Sequence, residues 1–295
     1  MTNQTKGICL ASTGALFWGA SGVAAQYLFH VKDFTPDFLV FLRLLISGTI
    51  LLAFDALRNY GEIFSIWRHS YDRLQLLFFG IFGMLSVQYT YFVTIKYGNA
   101  ATATVLQYLA PIIIVLYFVG KNRRLPLRND LLAVGIAICG TIVLVTKGDF
   151  HTLAISDTVL FWGIISAFCG AFYTVQPKYL LHHFRSPLVI GWGMIIGAVI
   201  LLPMNLPFSL QGIWDLQTFS ALLFVIIFGT IIAFWSYLES IKYIRPTQTS
   251  TLGALEPLSA VFLSVFFLNI PFSFAEALGA LFILGSAFLL NHRQK

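Results

Sequence analysis

Charged residues are scarce in this chain of 295 residues. Asp, Glu, Lys and Arg make up only 10% of it and hydrophobic residues 58%, against about 25% and roughly 45–50% in soluble domains. A soluble fold of this size needs more polar surface, so the composition excludes one and indicates that the bilayer is the solvent. Ten spans of about 20 residues each would use about 200 residues. The remainder suffices for short connections and excludes a sizeable soluble domain.

Catalytic and metal-binding motifs are also missing. The sequence has no HExxH, no GxSxG and no Walker-type GxxxxGK[ST]. Its three cysteines, Cys9, Cys139 and Cys169, lie in apolar stretches without a CxxC spacing, so they predict neither a metal site nor a disulfide framework. We therefore expect no enzyme activity, no cofactor and no ATPase. The net charge of +6 is typical of nucleic-acid binders, but membrane topology explains it better, and we expect no nucleic-acid partner.

Apolar runs bounded by charges, prolines or polar clusters predict an all-α integral membrane protein with ten transmembrane helices. The predicted spans are 8–30, 36–56, 74–95, 100–119, 130–147, 157–180, 187–206, 217–240, 247–268 and 274–291. With a cytoplasmic N-terminus, fourteen Lys and Arg residues lie inside and only Lys32, Lys96 and Lys147 lie outside. Basic residues are enriched in cytoplasmic loops, so both termini are predicted to be cytoplasmic.

The two halves of the sequence resemble each other. At an offset of 146, Lys96, Tyr97 and Pro111 recur as Lys242, Tyr243 and Pro257. At an offset of 152, a ladder of small residues in the first span recurs in the sixth, with Ala11, Ala15 and Gly19 falling on Gly163, Ala167 and Ala171. We predict two five-helix repeats, 1–150 and 151–295, within one membrane domain. Because five is odd, the second repeat is inverted, an arrangement typical of secondary transporters.

Two ionisable residues lie deep within predicted spans, Arg43 and Glu256. Such residues are costly in a membrane and mark substrate pathways or proton relays. Arg43 is expected either to bind a solute carboxylate, to bridge to a carbonyl or reach the interface, or to pair with Glu256. Glu256 is the candidate for proton coupling, because burial disfavours the charged form of a carboxyl. The alternative is a neutral, hydrogen-bonded carboxyl beside the following proline.

Prolines, aromatic residues and amides complete the candidate site. Pro111 and Pro257 are predicted to kink the fourth and ninth spans, since proline lacks an amide donor. Polar and aromatic side chains within the spans predict an amphipathic cavity lined by Trp18, Arg43, Gln88, Tyr108, Tyr173 and Glu256, with a second group of candidates in Gln26, Gln107, Gln176 and Trp192. Tyr91 and Tyr237 lie nearer the ends of spans, which favours an interfacial position.

Six short motifs, in this order and spacing, resemble the EamA-type, ten-helix branch of the drug/metabolite transporter superfamily over essentially the whole chain. They are Ala15–Val23, Phe41–Leu45, Gly98–Pro111, Ala171–Val175, Leu255–Ala260 and Gly279–Leu290. The chain departs from that family at Gly120–Arg123 and Asn269–Pro271, where a Gly-Glu-Arg type sequence is usual. Gly170 also stands where the first repeat has Trp18, which predicts cavity walls that differ between the repeats.

The resemblance implies a multi-pass protein of the bacterial plasma (inner) membrane that exports amino acids, related metabolites or toxic small organic compounds. It also implies that spans 1–4 and 6–9 line the cavity and that spans 5 and 10 are peripheral. Our leading hypothesis is a secondary transporter working by alternating access, with a small-molecule substrate, the lipid bilayer and protons as its partners. Uptake or facilitated passage of a small amine or nutrient is the alternative. A non-transporting assembly or sensory subunit is the alternative of another class.

Overall fold

The computed structural model describes residues 2–58, 62–121, 128–146, 155–205, 211–244, 249, 252–269 and 273–291, and these residues contain helices and no strand. We number ten helices along the chain. They are α1 Asn3–His30, α2 Pro36–Arg58, α3 Ser70–Tyr97, α4 Ala100–Lys121, α5 Arg128–Thr146, α6 Asp157–His183, α7 Ser186–Asn205, α8 Leu216–Ser240, α9 Leu255–Leu268 and α10 Phe274–Asn291. A 3₁₀ segment, Glu62–Trp67, lies between α2 and α3.

The prediction of an all-α membrane protein is confirmed, although the helix lengths are uneven. Seven of the described helices are long and apolar enough to cross a membrane. The other three, α5, α9 and α10, contain shorter apolar stretches, Leu131–Leu144, Leu255–Leu268 and Phe274–Ser286. Several other predicted features lie outside the described residues: Lys147, the boundary between the repeats at 150, most of the predicted start of the ninth span, and the departures at residues 122–123 and 270–271.

Some helix boundaries were predicted wrongly. α1 begins at Asn3 rather than at residue 8, because the Thr2 side chain accepts a hydrogen bond from the Thr5 amide and caps a polar first turn. α3 begins at Ser70 rather than at residue 74, again with a polar first turn. In both cases the helix continues beyond the apolar run from which its start was predicted.

Helices at equivalent positions in the two halves pack against equivalent helices of the other half. α1 packs against α8 and α9, and its counterpart α6 packs against α3 and α4. Equivalent helices also contact each other, α2 with α7, α4 with α9 and α5 with α10. Small residues allow these close approaches: a Cβ on Gly140 would lie 2.8 Å from the carbonyl oxygen of Gly279 in the α5–α10 contact.

Equivalent helices are also irregular at equivalent places. α3 contains a π-helical segment at Phe79–Leu85, and α8 contains one at Ile227–Ile232. A turn at residues 108–109 interrupts α4 just before Pro111, and a turn at residues 253–254 precedes α9 and Pro257. Pro257 has no amide to bond the Gly253 carbonyl, which instead accepts a hydrogen bond from the Glu256 amide at 3.0 Å.

Ion pairs join the connections at both ends of the bundle. Between α1 and α2, Lys32 Nζ lies 2.5 Å from the carboxylate of Asp215, which precedes α8. This contact lowers the pKa of Asp215 to about 2. Between α6 and α7, Arg185 bonds both carboxylate oxygens of Asp55 at 2.9 and 3.0 Å and Glu62 at 3.0 Å. Arg185 and Asp215 each follow their counterparts, Lys32 and Glu62, by 153 positions, so the two ion pairs are equivalent in the two halves.

Candidate functional site

A cavity of about 120 Å³ lies between the two halves. Its walls come from α1, α2, α3, α4, α6 and α8, and from the start of α9. The lining side chains that carry the argument are polar or aromatic: Trp18, Ser21, Arg43, Gln88, Tyr91, Phe92, Thr104, Gln107, Tyr108, Tyr173, Thr174, Phe234, Tyr237 and Glu256. The cavity is therefore amphipathic, with one cation and one carboxyl among its described lining residues.

The structure brings together all six of the first-named candidates, and Gln107 and Pro111 line the same cavity. Helices α5 and α10 contribute no lining residue among those described. Helix α7 was expected to line the cavity and does not. Its glycines bring it against α2 and α3 instead: a Cβ on Gly191 would lie 2.9 Å from Leu52, and one on Gly193 would lie 3.0 Å from Phe79. Packed side chains thus fill that side.

Arg43 is buried with neutral partners. Its side chain is 3% exposed, and it donates from Nε to the Thr230 hydroxyl at 3.0 Å and from a terminal nitrogen to the Gly229 carbonyl at 3.2 Å. Both acceptors belong to the π-helical segment of α8. The guanidinium also lies 4.6 Å from the centre of the Phe92 ring. Among the described side chains no carboxylate is within ion-pair distance, so the expected alternative of a pair with Glu256 is wrong and the bridge to a carbonyl is present.

Glu256 occupies the first turn of α9 rather than the middle of a continuous helix. The helix begins at Leu255, directly after the turn at residues 253–254, so Glu256 lies near the amino end of a helix, where the peptide dipoles favour negative charge. The residue is half-buried and lines the cavity. Discontinuous helices that present their ends to a substrate or coupling ion are typical of secondary transporters.

Five buried polar atoms at the cavity have no hydrogen-bond partner in the described structure. They are Nε1 of Trp18, both amide atoms of Gln88, and the hydroxyls of Tyr91 and Tyr173. Leaving a buried polar group without a partner costs about 1–3 kcal/mol, and nearly all such groups in proteins are satisfied. Because these atoms lie around one cavity, water or a polar solute in that cavity can satisfy them together.

Aromatic rings form a continuous wall on one side. The Trp18 ring lies 4.9 Å from Phe234 and 4.6 Å from Tyr237, and Tyr173 meets Phe234 edge-on at 5.7 Å. Tyr91 and Tyr237 were expected at the interface, but they are buried and line the cavity. The two tyrosines are 146 positions apart, the offset that relates the two halves, and this is the sequence signal that could have found them.

Three of the second group of candidates lie elsewhere because they bond backbone groups at irregular places. Gln26 accepts from the Ala100 amide at 2.8 Å and so satisfies the first turn of α4. Gln176 donates to the Gln75 carbonyl at 2.9 Å where α6 turns, and Trp192 donates to the Ile63 carbonyl, within the 3₁₀ segment, at 2.7 Å. Gln107 differs: it lines the cavity and donates to Ser166 at 2.7 Å.

The walls differ between the two halves at Gly170. The first repeat has the Trp18 ring at the equivalent position, whereas a Cβ on Gly170 would meet Ala110 at 3.5 Å and Gln107 at 3.7 Å, which are ordinary contacts. Space for a small side chain therefore remains on the α6 side. No group of three or more His, Cys, Asp or Glu residues that could hold a metal ion occurs within the described ranges.

Comparison with known proteins agrees with this architecture. The EamA-like transporter family matches residues 5–146 and 157–292. An uncharacterized inner membrane transporter of Salmonella typhimurium, YicL, is 39% identical over 99% of this chain and 97% of its own length. An uncharacterized transporter of Archaeoglobus fulgidus is 22% identical over 99% of both chains. A protein of known crystal structure, 20% identical over 99% of both chains, has the same fold with a TM-score of 0.68.

These findings confirm the resemblance noted in the sequence. The family matches most of the chain, in two stretches that correspond to the two halves of the fold. The family and the named relatives are transporters rather than enzymes. The apolar helices and the inner-membrane relative agree on the location. The chain therefore belongs to the EamA-like transporter family and is a multi-pass protein of the bacterial inner membrane.

Proposed function

We propose that this protein is a secondary transporter that exports a small amphipathic organic solute, such as an amino acid or a related metabolite, by alternating access through the central cavity. The observation that carries the proposal is the set of five unpartnered polar atoms around a cavity between two equivalent halves. A solute that supplies several hydrogen bonds and one apolar face matches these walls. Drug-sized ligands occupy pockets of about 300–1,000 Å³, so a cavity of about 120 Å³ favours smaller solutes.

In this proposal Arg43 binds the anionic group of the solute. The guanidinium has five N–H donors, and its two hydrogen bonds to α8 leave donors available. Arg43 is a buried cation whose partners are neutral. A solute carboxylate beside it would add a charge-assisted hydrogen-bonded pair. The aromatic wall of Trp18, Phe234 and Tyr237 would then contact the apolar part of the solute, and Gln88 would offer it a donor and an acceptor.

The proposed topology has ten membrane-crossing helices in two inverted repeats, with both termini cytoplasmic. Three observations support the two repeats: the equivalent packing partners, the paired π-helical segments, and the paired turns at residues 108–109 and 253–254 just before Pro111 and Pro257. An odd number of helices in each repeat makes the second run antiparallel to the first. The basic residues favour a cytoplasmic N-terminus. Binding sites of inverted-repeat transporters lie between the repeats, which is where the cavity lies.

Glu256 is the proposed proton carrier. It is the one carboxyl among the described cavity-lining residues, and no described cation lies within ion-pair distance of it. Protonation from one side of the membrane and release to the other, as the repeats move, would couple solute movement to a proton gradient. Glu256→Gln should then retain solute exchange and lose uphill transport driven by a pH difference. Uphill transport by that variant would contradict the coupling role and leave a structural one.

The decisive experiment compares two glutamines. Proteoliposomes that contain the protein are loaded with a panel of labelled amino acids and related metabolites, and efflux and uptake are measured. Gln88→Ala should abolish transport of any accepted solute and leave folding intact, because neither amide atom of Gln88 has a partner in the described structure.

Gln176→Ala is the matched control, because Gln176 is also an amide within a helix, away from the cavity. It should transport normally. Arg43→Gln should lose anionic solutes selectively. Normal transport by folded Gln88→Ala and Arg43→Gln variants would overturn the assignment of the cavity, and net uptake without efflux would overturn the direction.

A further inference from the structure

A second, larger groove lies on the outer side of α5 and α10, helices that contribute nothing described to the transport cavity. Its volume is about 690 Å³. It is lined by Arg128, Leu131, Leu132, Gly135, Ile136 and Cys139 of α5 and by Phe282 of α10. The α5 residues recur at intervals of three and four, which places them along a single face of the helix. The groove therefore runs lengthwise along α5.

Gly135 gives the groove its depth. A Cβ at this position would have no atom within 4 Å, so the missing side chain leaves a gap between Leu132 and Ile136. Leu131 and Leu132 are 61% and 58% exposed. Apart from Arg128, the described lining is apolar or, at Cys139, only weakly polar. A wall of this kind within a membrane-crossing helix contacts hydrocarbon.

The length of the groove corresponds to one leaflet of a bilayer. Arg128 and Cys139 are separated by about 16 Å along the helix axis at a rise of about 1.5 Å per residue. The hydrocarbon core of a bilayer is about 30 Å thick, so the groove extends from one membrane surface to near the midplane. Arg128, the first residue of α5, marks the surface end.

The surface end carries positive charge that no described acidic side chain neutralises within ion-pair distance. Arg128 is exposed, and the sequence just before it contains Lys121, Arg123 and Arg124. Basic clusters next to membrane helices attract anionic lipids, and a guanidinium binds phosphate through parallel hydrogen bonds. A cation above an apolar groove one leaflet deep complements a lipid with an anionic headgroup.

We propose that this groove is a binding site for one anionic phospholipid of the leaflet on the Arg128 side. One acyl chain lies along α5 past Gly135, and the phosphate is held by Arg128. This inference is independent of the transported solute. It assigns α5 and α10 a lipid contact on their outer side, while their inner sides pack against each other.

Native mass spectrometry of the full chain in detergent tests the site with two probes that share the same acyl chains, phosphatidylglycerol and phosphatidylcholine. We expect one phosphatidylglycerol to be retained with at least tenfold higher affinity than phosphatidylcholine. Arg128→Gln should reduce its affinity to that of phosphatidylcholine, and Gly135→Phe should reduce retention of both lipids by filling the groove. Arg58→Gln, at the exposed end of α2, is the control and should change neither.

Three results would overturn the inference. Equal retention of the two lipids by the unmodified protein would show a site without headgroup preference. Unchanged phosphatidylglycerol binding in Arg128→Gln would place the lipid elsewhere. A dimer that Gly135→Phe converts to a monomer, without any change in lipid retention, would show that a second copy of the chain occupies the groove. Thermal unfolding of each variant, followed by helical circular dichroism, verifies that the protein compared is folded.

Discussion

Replacement of Gly19 by alanine tests a very close contact between the two halves. A Cβ at this position would collide with the Ser259 hydroxyl and the Glu256 carbonyl, and it would lie 2.9 Å from the Ala260 amide nitrogen. Ordinary contact begins at 3.4 Å, so α1 and α9 must separate by at least about 0.5 Å. The Ser259 side chain can rotate, but the two backbone groups cannot move without the helix.

The expected loss can be worked out from these contacts. Overpacking costs about 1–3 kcal/mol, and backbone obstacles place Gly19→Ala near the upper figure. Alanine regains up to about 1 kcal/mol over glycine within a helix, so the net loss is about 2 kcal/mol. At about 2–4 °C per kcal/mol for a chain of 150–250 residues, the melting temperature in detergent should fall by about 4–8 °C, as followed by helical circular dichroism.

Gly285→Ala is the matched control for this substitution. No atom lies within 4 Å of a Cβ at Gly285 in α10, so that variant should melt at the same temperature as the unmodified protein or slightly above it. Gly170→Ala, with contacts of 3.5 Å or longer, should behave in the same way. If Gly19→Ala melted no lower than these two variants, the close approach of α1 to α9 would be refuted.

Three further substitutions have defined outcomes. Asp215→Asn should lower the melting temperature equally at pH 5.5 and pH 8. Lys32 holds the pKa of Asp215 at about 2, below its ordinary value of 3.8. The stabilisation that this ion pair gives is therefore complete above pH 3.8 and is lost only as the pH falls through about 2. A difference between pH 5.5 and pH 8 would contradict this. Gln26→Leu should cost about 1–3 kcal/mol in thermal unfolding by leaving the first turn of α4 with an unpaired amide, and Gln26→Glu should recover most of it. Trp192→Phe should cost about 1 kcal/mol for one hydrogen bond and leave solute transport unchanged, whereas loss of transport in a folded protein would assign Trp192 to the pathway.

The membrane fold was predictable because each apolar run by itself indicates a membrane helix. The helix starts at Asn3 and Ser70 were missed because capping side chains and polar first turns extend a helix beyond its apolar part. The turn before Glu256 was also missed. The sequence predicts a continuous ninth helix and therefore places Glu256 in the middle of the span. Such interruptions depend on tertiary packing as well as on proline, and a single sequence does not contain that packing.

The site was predictable to the extent that polarity within a span is visible locally. Arg43 and Gln88 were found in this way, and both line the cavity. Gln26 satisfied the same criterion, but its amide is bonded by the backbone of a helix distant in sequence. Tyr237 was missed because it lies near the end of its span. Distance along a helix does not measure how deeply a residue is buried when neighbouring helices cover the end of that helix. The partner of a polar side chain, rather than its position, decides its role.

The equivalent ion pairs at the two ends give a duplicated structure an inherent asymmetry. At one end Lys32 contacts a single carboxylate, that of Asp215, through one nitrogen. At the other end Arg185 binds two carboxylates, that of Asp55 through two parallel hydrogen bonds and that of Glu62 through a third, and bidentate pairs are the stronger kind. A movement that parts the connections around Lys32 therefore meets less resistance than the equivalent movement around Arg185. In the alternating access that we propose, two similar halves would therefore open more readily at the Lys32 end than at the Arg185 end.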